Sequence, residues 1–157
     1  QVRGNHEIQP EGQAPMADRM TLGRLFQRAG YRTGIFGKWG LGYPGSGAEA
    51  TDRGFDEFFG YNCQRLAHSY YPDHLWRGKE RVDFAANKDG GKGVYSADTI
   101  HREALRFIEQ SADSGKPFFA PACRAQPSPR CCLRVLRGEA DASRVQAARL
   151  LGLRVDA

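Results

Sequence analysis

A helix, a glycine turn and a short strand follow one another directly near the start of this sequence, and this succession most constrains the fold. Thr21 is a good N-cap for a helix that runs to about residue 29, and Gly30 is a typical stop signal. Residues 32–36 then have the character of a buried strand. A helix that leads at once into a strand is a building block of parallel sheets, so the sequence predicts an α/β fold. The helix is expected to bury an apolar face made of Leu22, Leu25 and Phe26.

A second helix and strand are predicted downstream. The apolar positions of residues 97–111 recur at the spacing of an amphipathic helix, and they are Ile100, Ala104, Phe107 and Ile108. After a turn at residues 113–116, residues 117–120 begin another buried strand. Residues 40–95 lie between the two units and show little periodicity, so we expect a loop-rich middle section there.

The composition changes near residue 120 and divides the chain into two parts. Residues 1–120 contain all 17 aromatic residues and carry 16 basic against 15 acidic side chains, whereas residues 121–157 carry 7 arginines against 3 acids. The net charge of +5 therefore comes mainly from the tail, which has no aromatic side chains to stack on bases. This distribution argues against a nucleic-acid partner. No run approaches the roughly 20 apolar residues that cross a bilayer, so no membrane partner is expected.

Residues 121–157 are expected to form an irregular tail, atypical in its content of Arg, Ala and Cys. Cys123 and the adjacent pair Cys131 and Cys132 lack the paired spacing of a zinc site, so no metal ligands are assigned there. The composition is typical of a frame-shifted, GC-rich reading frame. Residues 139–154 have the propensity for a short helix.

Lys38 is the strongest candidate for a chemical role. It lies two residues past the predicted strand, and open α/β sheets place their ligand sites at the carboxyl ends of strands. A lysine there supplies a positive charge suited to an oxyanion such as sulfate or phosphate. Gly37 permits close backbone approach, and Trp39 is expected to form one wall of the site. A solvated surface lysine is the competing interpretation.

A second candidate group lies in the loop-rich middle section. Its polar and aromatic members are His68, Tyr70, Tyr71, Asp73 and His74. His and Tyr suit hydrogen bonding to sugar or phenol groups, so His68, Tyr70 and His74 are predicted to contribute to substrate binding. The alternative is a loop that uses its aromatic residues for packing. Cys63 is expected to be a lone buried thiol, since no base lies at an informative spacing from it.

Several segments of the chain resemble the sulfatase family. Residues 18–42, D-R-M-T-L-G-R-L-F-Q-R-A-G-Y-R-T-G-I-F-G-K-W-G-L-G, are similar to its second signature region. Residues 53–60, R-G-F-D-E-F-F-G, look like another of its segments, and residues 60–76 resemble a stretch of bacterial arylsulfatase-like members. Residues 97–119 are similar to a later helix and strand of the family. One departure is Gly40, which stands where the family often has a histidine.

The resemblance implies an alkaline-phosphatase-like α/β sandwich with a mostly parallel sheet, to which residues 1–120 contribute part of the catalytic domain. It also implies sulfate ester hydrolysis by a formylglycine nucleophile beside a divalent metal, usually Ca²⁺, with Lys38 in contact with the sulfate. The motif C/S-x-P-S/A-R that supplies this nucleophile does not occur in the sequence, nor do the family's metal ligands. We therefore expect an internal fragment of a type I sulfuric ester hydrolase, inactive alone.

The sequence allows more than one substrate and more than one reaction class. An aryl sulfate or another small sulfate ester fits the resemblance as well as a sulfated glycan does. A phosphate or phosphonate monoester hydrolase of the same superfamily is the second hypothesis, and a non-enzymatic binding domain on the same scaffold is the third. Members of the family are often secreted or periplasmic, but this sequence leaves localisation and oligomeric state open.

Overall fold

A computed structural model describes residues 15–63 and 65–122 and the backbone of residues 134–138. These residues form two α-helices, six strands and three short 3₁₀ helices. The helices and strands are α1 (Leu22–Arg28), β1 (Arg32–Lys38), β2 (Glu57–Tyr61), β3 (His74–Arg77), β4 (Glu80–Asp83), α2 (Ser96–Asp113), β5 (Phe118–Ala122) and β6 (Arg134–Gly138). The 3₁₀ helices are Ala50–Arg53, Leu66–His68 and Ala85–Gly90.

The six strands form one sheet in the order β4-β3-β2-β1-β5-β6. The central strand β1 pairs in parallel with β2 and with β5, as expected from a helix–strand succession. The outer pairs, β2 with β3, β3 with β4 and β5 with β6, are antiparallel. The α/β prediction is confirmed, and the sheet is parallel at its centre and antiparallel on both flanks.

Each face of the sheet carries one helix and one apolar cluster. Helix α2 packs against the strands through the predicted stripe, since Ile100, Ala104, Phe107 and Ile108 are all buried. On this face they join Phe36, Phe59, Tyr61, Leu75, Phe118 and Ala120. The other cluster contains Trp39, Ala50, Phe55, Phe58 and Phe119, with Phe26 of α1 packed against it. The central strands are therefore covered on both sides, as parallel sheets require.

Helix α1 forms where the sequence predicts it, but its buried face is different. The Thr21 hydroxyl accepts a hydrogen bond from the Arg24 N–H at 3.1 Å, which confirms the N-cap. Leu22 and Leu25 are 54% and 53% exposed, so the predicted apolar face is wrong for both. The buried residue is Gly23, where an added Cβ would lie 2.7 Å from the Gly54 carbonyl oxygen. The missing side chain lets the helix approach this backbone closely, and that contact sets its rotation.

The prediction of a loop-rich middle section was incomplete. Residues 40–95 contain β2 and the hairpin of β3 and β4, in addition to the loops and 3₁₀ helices. Strand β6 lies within the tail that was predicted to be irregular. The predicted helix at 139–154 and the three tail cysteines lie outside the described residues. Neither described helix is long and apolar enough to cross a membrane.

Candidate functional site

The carboxyl ends of β1 and β2 meet at one edge of the sheet, which we call the carboxyl edge. Lys38, the last residue of β1, pairs with Tyr61, the last residue of β2. The strand β1 thus runs two residues further than predicted. Beyond it, the Trp39 N–H donates to the Tyr61 carbonyl at 2.9 Å, and the Gly40 N–H donates to the Asn62 carbonyl at 3.1 Å. These bonds hold the segment that follows Lys38 against the end of β2.

Two glycines make this close pairing possible. Gly37 and Gly60 are register partners, with φ values of 120° and 152° that L side chains rarely adopt. A Cβ on Gly60 would lie 1.7 Å from the Gly37 carbonyl oxygen, which is far inside contact distance. The backbone beside Lys38 therefore depends on glycine at both positions, since the backbones of β1 and β2 approach closely there.

Lys38 is half-buried at the end of the central strand. Since ligand sites of open α/β sheets lie outside the carboxyl ends of their strands, this is the position where a positive charge can meet an anionic ligand. Helix α2 leads into β5, which is parallel to β1, so the N-terminus of α2 lies toward the same edge. The partial positive charge of that helix end has the same sign as the Lys38 ammonium group.

Trp39 lies in the core beside the site. Its side chain is 8% exposed, and its indole N–H donates to the Ala48 carbonyl at 2.8 Å. The Phe55 ring meets it edge-on, at 5.9 Å between ring centroids. With its polar atom already bonded, Trp39 offers the carboxyl edge an apolar wall, and direct contact with substrate stays a prediction.

The three residues predicted to line a pocket occupy different surroundings. His68 is exposed at the end of the 3₁₀ helix Leu66–His68. Tyr70 is half-buried, and its carbonyl accepts hydrogen bonds from the N–H and hydroxyl of Ser96 at the start of α2. His74 is only 5% exposed at the start of β3, and its Nδ1 lies 2.6 Å from an Asp73 carboxylate oxygen. The Tyr70 segment therefore positions α2, and binding roles for all three side chains stay predictions.

Asn62 is a candidate residue that the sequence did not reveal. It follows β2 directly, is 1% exposed, and neither its Oδ1 nor its Nδ2 has a hydrogen-bond partner among the described residues. The register of β2 with β3, continued by two residues, brings His74 opposite it. Asn62 could have been found from the sequence only by predicting that it follows the strand β2. That strand lacks the alternation of apolar and polar residues that marks a strand in sequence.

The neighbours of Asn62 are fixed by burial and hydrogen bonding. The Tyr61 hydroxyl donates to the Ser69 carbonyl at 2.8 Å, and burial raises the pKa of this phenol to about 12. Tyr61 is therefore neutral at physiological pH. Cys63 is a buried free thiol whose sulfur accepts the Leu66 N–H at 3.2 Å, which confirms the prediction for this cysteine.

The opposite edge of the sheet, which we call the amino edge, carries a continuous set of ion pairs. Glu57 pairs with Arg32 and with Arg106, the latter at 2.7 Å, and Glu103 pairs with Arg106 at 2.9 Å and with Arg77 at 2.6 Å. A cavity of about 210 Å³ lies here, lined in part by Glu57, Arg77 and Arg106. Each arginine of this set has a carboxylate partner, so these charged groups hold β1, β2, β3 and α2 together at this edge.

The described residues do not fit a calcium site by themselves. Calcium takes six to eight oxygen ligands, several of them carboxylates. Within residues 15–63 and 65–122, no three His, Cys, Asp or Glu side chains gather in a group that could hold a metal ion.

The family model of the sulfatases matches residues 2–127. The chain belongs to the sulfatase family. The match includes Lys38 and the whole carboxyl edge, and it ends shortly after the change in composition near residue 120. The resemblance that the sequence motifs indicated is confirmed.

Curated relatives agree with this assignment. Arylsulfatase G from Homo sapiens is 44% identical over 147 residues, and that from Rattus norvegicus is 30% identical over 147 residues. Each alignment covers 74% of this chain and 27% of the relative. An N-acetylglucosamine-6-O-sulfatase from Bacteroides thetaiotaomicron is 32% identical over 120 residues, with 72% of this chain and 18% of the relative covered. The chain thus spans about a quarter or less of the length of these relatives.

Solved structures support the alkaline-phosphatase-like fold. The PsFucS1 sulfatase from Pseudoalteromonas sp. superposes with a TM-score of 0.54 at 21% identity, covering 74% of this chain and 30% of that one. BT4656, in complex with its substrate D-glucosamine-2-N,6-O-disulfate, superposes with a TM-score of 0.52 at 26% identity. That superposition covers 74% of this chain and 20% of BT4656.

Proposed function

We propose that this chain supplies the sulfate-contacting edge of a sulfate ester hydrolase, with Lys38 as the residue that meets the sulfate. The observation that carries the proposal is the position of Lys38 at the carboxyl end of the central strand, within the segment that matches the sulfatase family. A lysine ammonium group is a compact positive charge with three donors, suited to an oxyanion. The paired backbone of Gly37 and Gly60 fixes where that charge can lie.

The substrate class that we propose is a sulfated sugar. One relative is named an N-acetylglucosamine-6-O-sulfatase, and one solved neighbour holds a sulfated glucosamine as its substrate. Both names support a carbohydrate substrate for this chain. A small aryl sulfate is the alternative substrate, and the name of the arylsulfatase G relatives supports it.

For a protein that combines this chain with the family's other active-site residues, we propose the chemistry that the family resemblance implies: a formylglycine nucleophile, with a calcium ion that would neutralise charge on the sulfate. The described residues contribute a different part, namely charge at Lys38 and shape at the carboxyl edge. A chain that holds this edge without those groups is expected to bind a sulfate ester weakly and not to turn it over.

The test is binding of a sulfate ester to the 157-residue chain and to two matched lysine variants. Lys38→Met removes the charge and keeps the aliphatic stem, whereas Lys116→Met does the same at an exposed lysine just before β5, at the amino edge. Titration with a monosulfated hexose, followed by NMR chemical shifts, should show an affinity loss of roughly tenfold or more for Lys38→Met, the size expected for a charged hydrogen bond. Lys116→Met should change nothing.

Two outcomes would count against the proposal. Equal affinity in the two variants would remove Lys38 from the site. A preference for the corresponding phosphate ester over the sulfate ester, measured in the same titration, would favour a phosphate or phosphonate hydrolase of the same superfamily.

A further inference from the structure

Asn62 carries a hydrogen-bonding capacity that the fold does not use. Its side chain is 1% exposed, and both its amide nitrogen and its amide oxygen lack a partner in the described part of the chain. Buried side-chain polar atoms nearly always have a partner, so each exception calls for an explanation, such as a ligand. The amide of Asn62 is an exception at both of its atoms.

The position of Asn62 ties it to Lys38. It follows Tyr61, the register partner of Lys38, and its carbonyl accepts the Gly40 N–H at 3.1 Å. Gly40 is buried with a φ of 66°. Apart from its chain neighbours, no atom lies within 4 Å of a Cβ placed on Gly40, the residue that joins the segment after Lys38 to the Asn62 carbonyl.

The chemistry of an amide selects among the groups that could pair with Asn62. A carboxamide has two N–H donors on nitrogen and two acceptor sites on oxygen. A sulfate group offers only acceptors, so it could satisfy the nitrogen and would leave Oδ1 unpaired. A sugar hydroxyl both donates and accepts, and neighbouring hydroxyls can satisfy both ends of one amide. The ring of an aryl sulfate offers neither.

We infer that Asn62 is a specificity-determining residue that hydrogen-bonds a hydroxyl of a sulfated sugar whose sulfate lies at Lys38. The inference rests on the proposed function and deepens it, because it assigns the choice between a sugar and an aryl sulfate to one side chain. A site built to pair with a substrate hydroxyl discriminates strongly against an analogue that lacks it, since its own polar atoms are then left unpaired.

The experiment observes the Asn62 side-chain amide directly. In the ¹⁵N-labelled 157-residue chain, the side-chain NH₂ resonances of Asn62 are assigned as those that disappear in Asn62→Asp. The chain is then titrated with a monosulfated hexose, the same hexose without sulfate, and phenyl sulfate. The Asn62 amide is expected to shift with the sulfated hexose and to stay in place with phenyl sulfate. Asn62→Leu should lower the affinity for the sulfated hexose by roughly tenfold and change the affinity for phenyl sulfate by less than about twofold.

Failure of this inference is distinguishable from failure of the proposed function. If both sulfate esters bind through Lys38 but the Asn62 amide does not shift at saturation, or if Asn62→Leu weakens both equally, Asn62 is not a specificity residue. If neither ester binds, or Lys38→Met changes neither affinity, the proposed function itself fails. Should Asn62→Leu not fold, the amide shifts of the unsubstituted chain decide alone.

Discussion

The two edges of the sheet use their polar residues in opposite ways. At the amino edge, Arg32, Glu57, Arg77, Glu103 and Arg106 satisfy one another, and Arg32 and Arg77 also lie over the rings of Phe107 and Phe59 at 4.8 and 5.0 Å. At the carboxyl edge, the backbone of Gly37, Gly60 and Gly40 is held tightly, while the amide of the buried Asn62 has no described partner. The five named residues of the amino edge are all paired, whereas the side-chain amide of Asn62 is not, and we propose that a ligand pairs with it.

The largest expected effect is at the carboxyl edge, where the backbone tolerates no side chain. Gly60→Ala should prevent folding or lower the free energy of unfolding by more than about 4 kcal/mol, because its Cβ would lie 1.7 Å from the Gly37 oxygen at a φ of 152°. Gly115→Ala is the matched control, with a φ of 66° and no atom within 4 Å of its Cβ. It should lower the free energy of unfolding by about 1–2 kcal/mol, the cost of a left-handed conformation for an L residue. Similar urea midpoints for the two variants would show that the edge is less constrained than the geometry indicates.

A smaller effect is expected at the amino edge, and it depends on pH. The hydrogen bond from Arg77 lowers the pKa of the Glu103 carboxyl below its ordinary value of 4.5. A lowered folded-state pKa stabilises the protein above the unfolded-state pKa, and this contribution disappears as the pH falls through the folded-state value. Glu103→Gln should therefore cost about 1 kcal/mol at neutral pH, a figure reduced for the exposure of the arginines, and nothing in strong acid.

The measurement for that second prediction is urea unfolding at several pH values between about 3 and 7. Glu109→Gln, at an exposed position on the same helix, is the control and should follow the unsubstituted chain throughout. A pH-independent difference between Glu103→Gln and the unsubstituted chain would mean that packing, and not charge, holds this edge together.

Local patterns in the sequence predicted the elements that they control. The Thr21 cap, the Gly30 stop and the apolar stripe of α2 act over a few neighbouring residues, and these predictions were confirmed. The rotation of α1 was not predictable in this way, because it is set by contact between Gly23 and Gly54, which are distant in sequence. The hairpin of β3 and β4 was not predicted from the sequence, because each strand has only four residues.

The candidate site divides in the same manner. Lys38 could be proposed as a candidate from the sequence, because the strand β1 was predicted and a general rule places ligands at the carboxyl ends of strands. Asn62 was not, because its significance lies in the partners it lacks, which only the three-dimensional structure shows. His74 was predicted to contribute to substrate binding from its residue type; the structure buries it at the start of β3, and its binding role stays a prediction.

A comparison of two buried asparagines tests most directly whether the carboxyl edge reserves polar groups for a ligand. Asn87, 4% exposed, donates to the carbonyls of Pro72 and Val94 at 2.7 and 2.8 Å and accepts the Val94 N–H at 2.8 Å. Asn87→Leu should lower the free energy of unfolding by about 3 kcal/mol, since it leaves buried backbone groups unpaired. Asn62→Leu removes two unpaired polar atoms and should raise it by about 1 kcal/mol. A loss in Asn62→Leu as large as that in Asn87→Leu would contradict the claim.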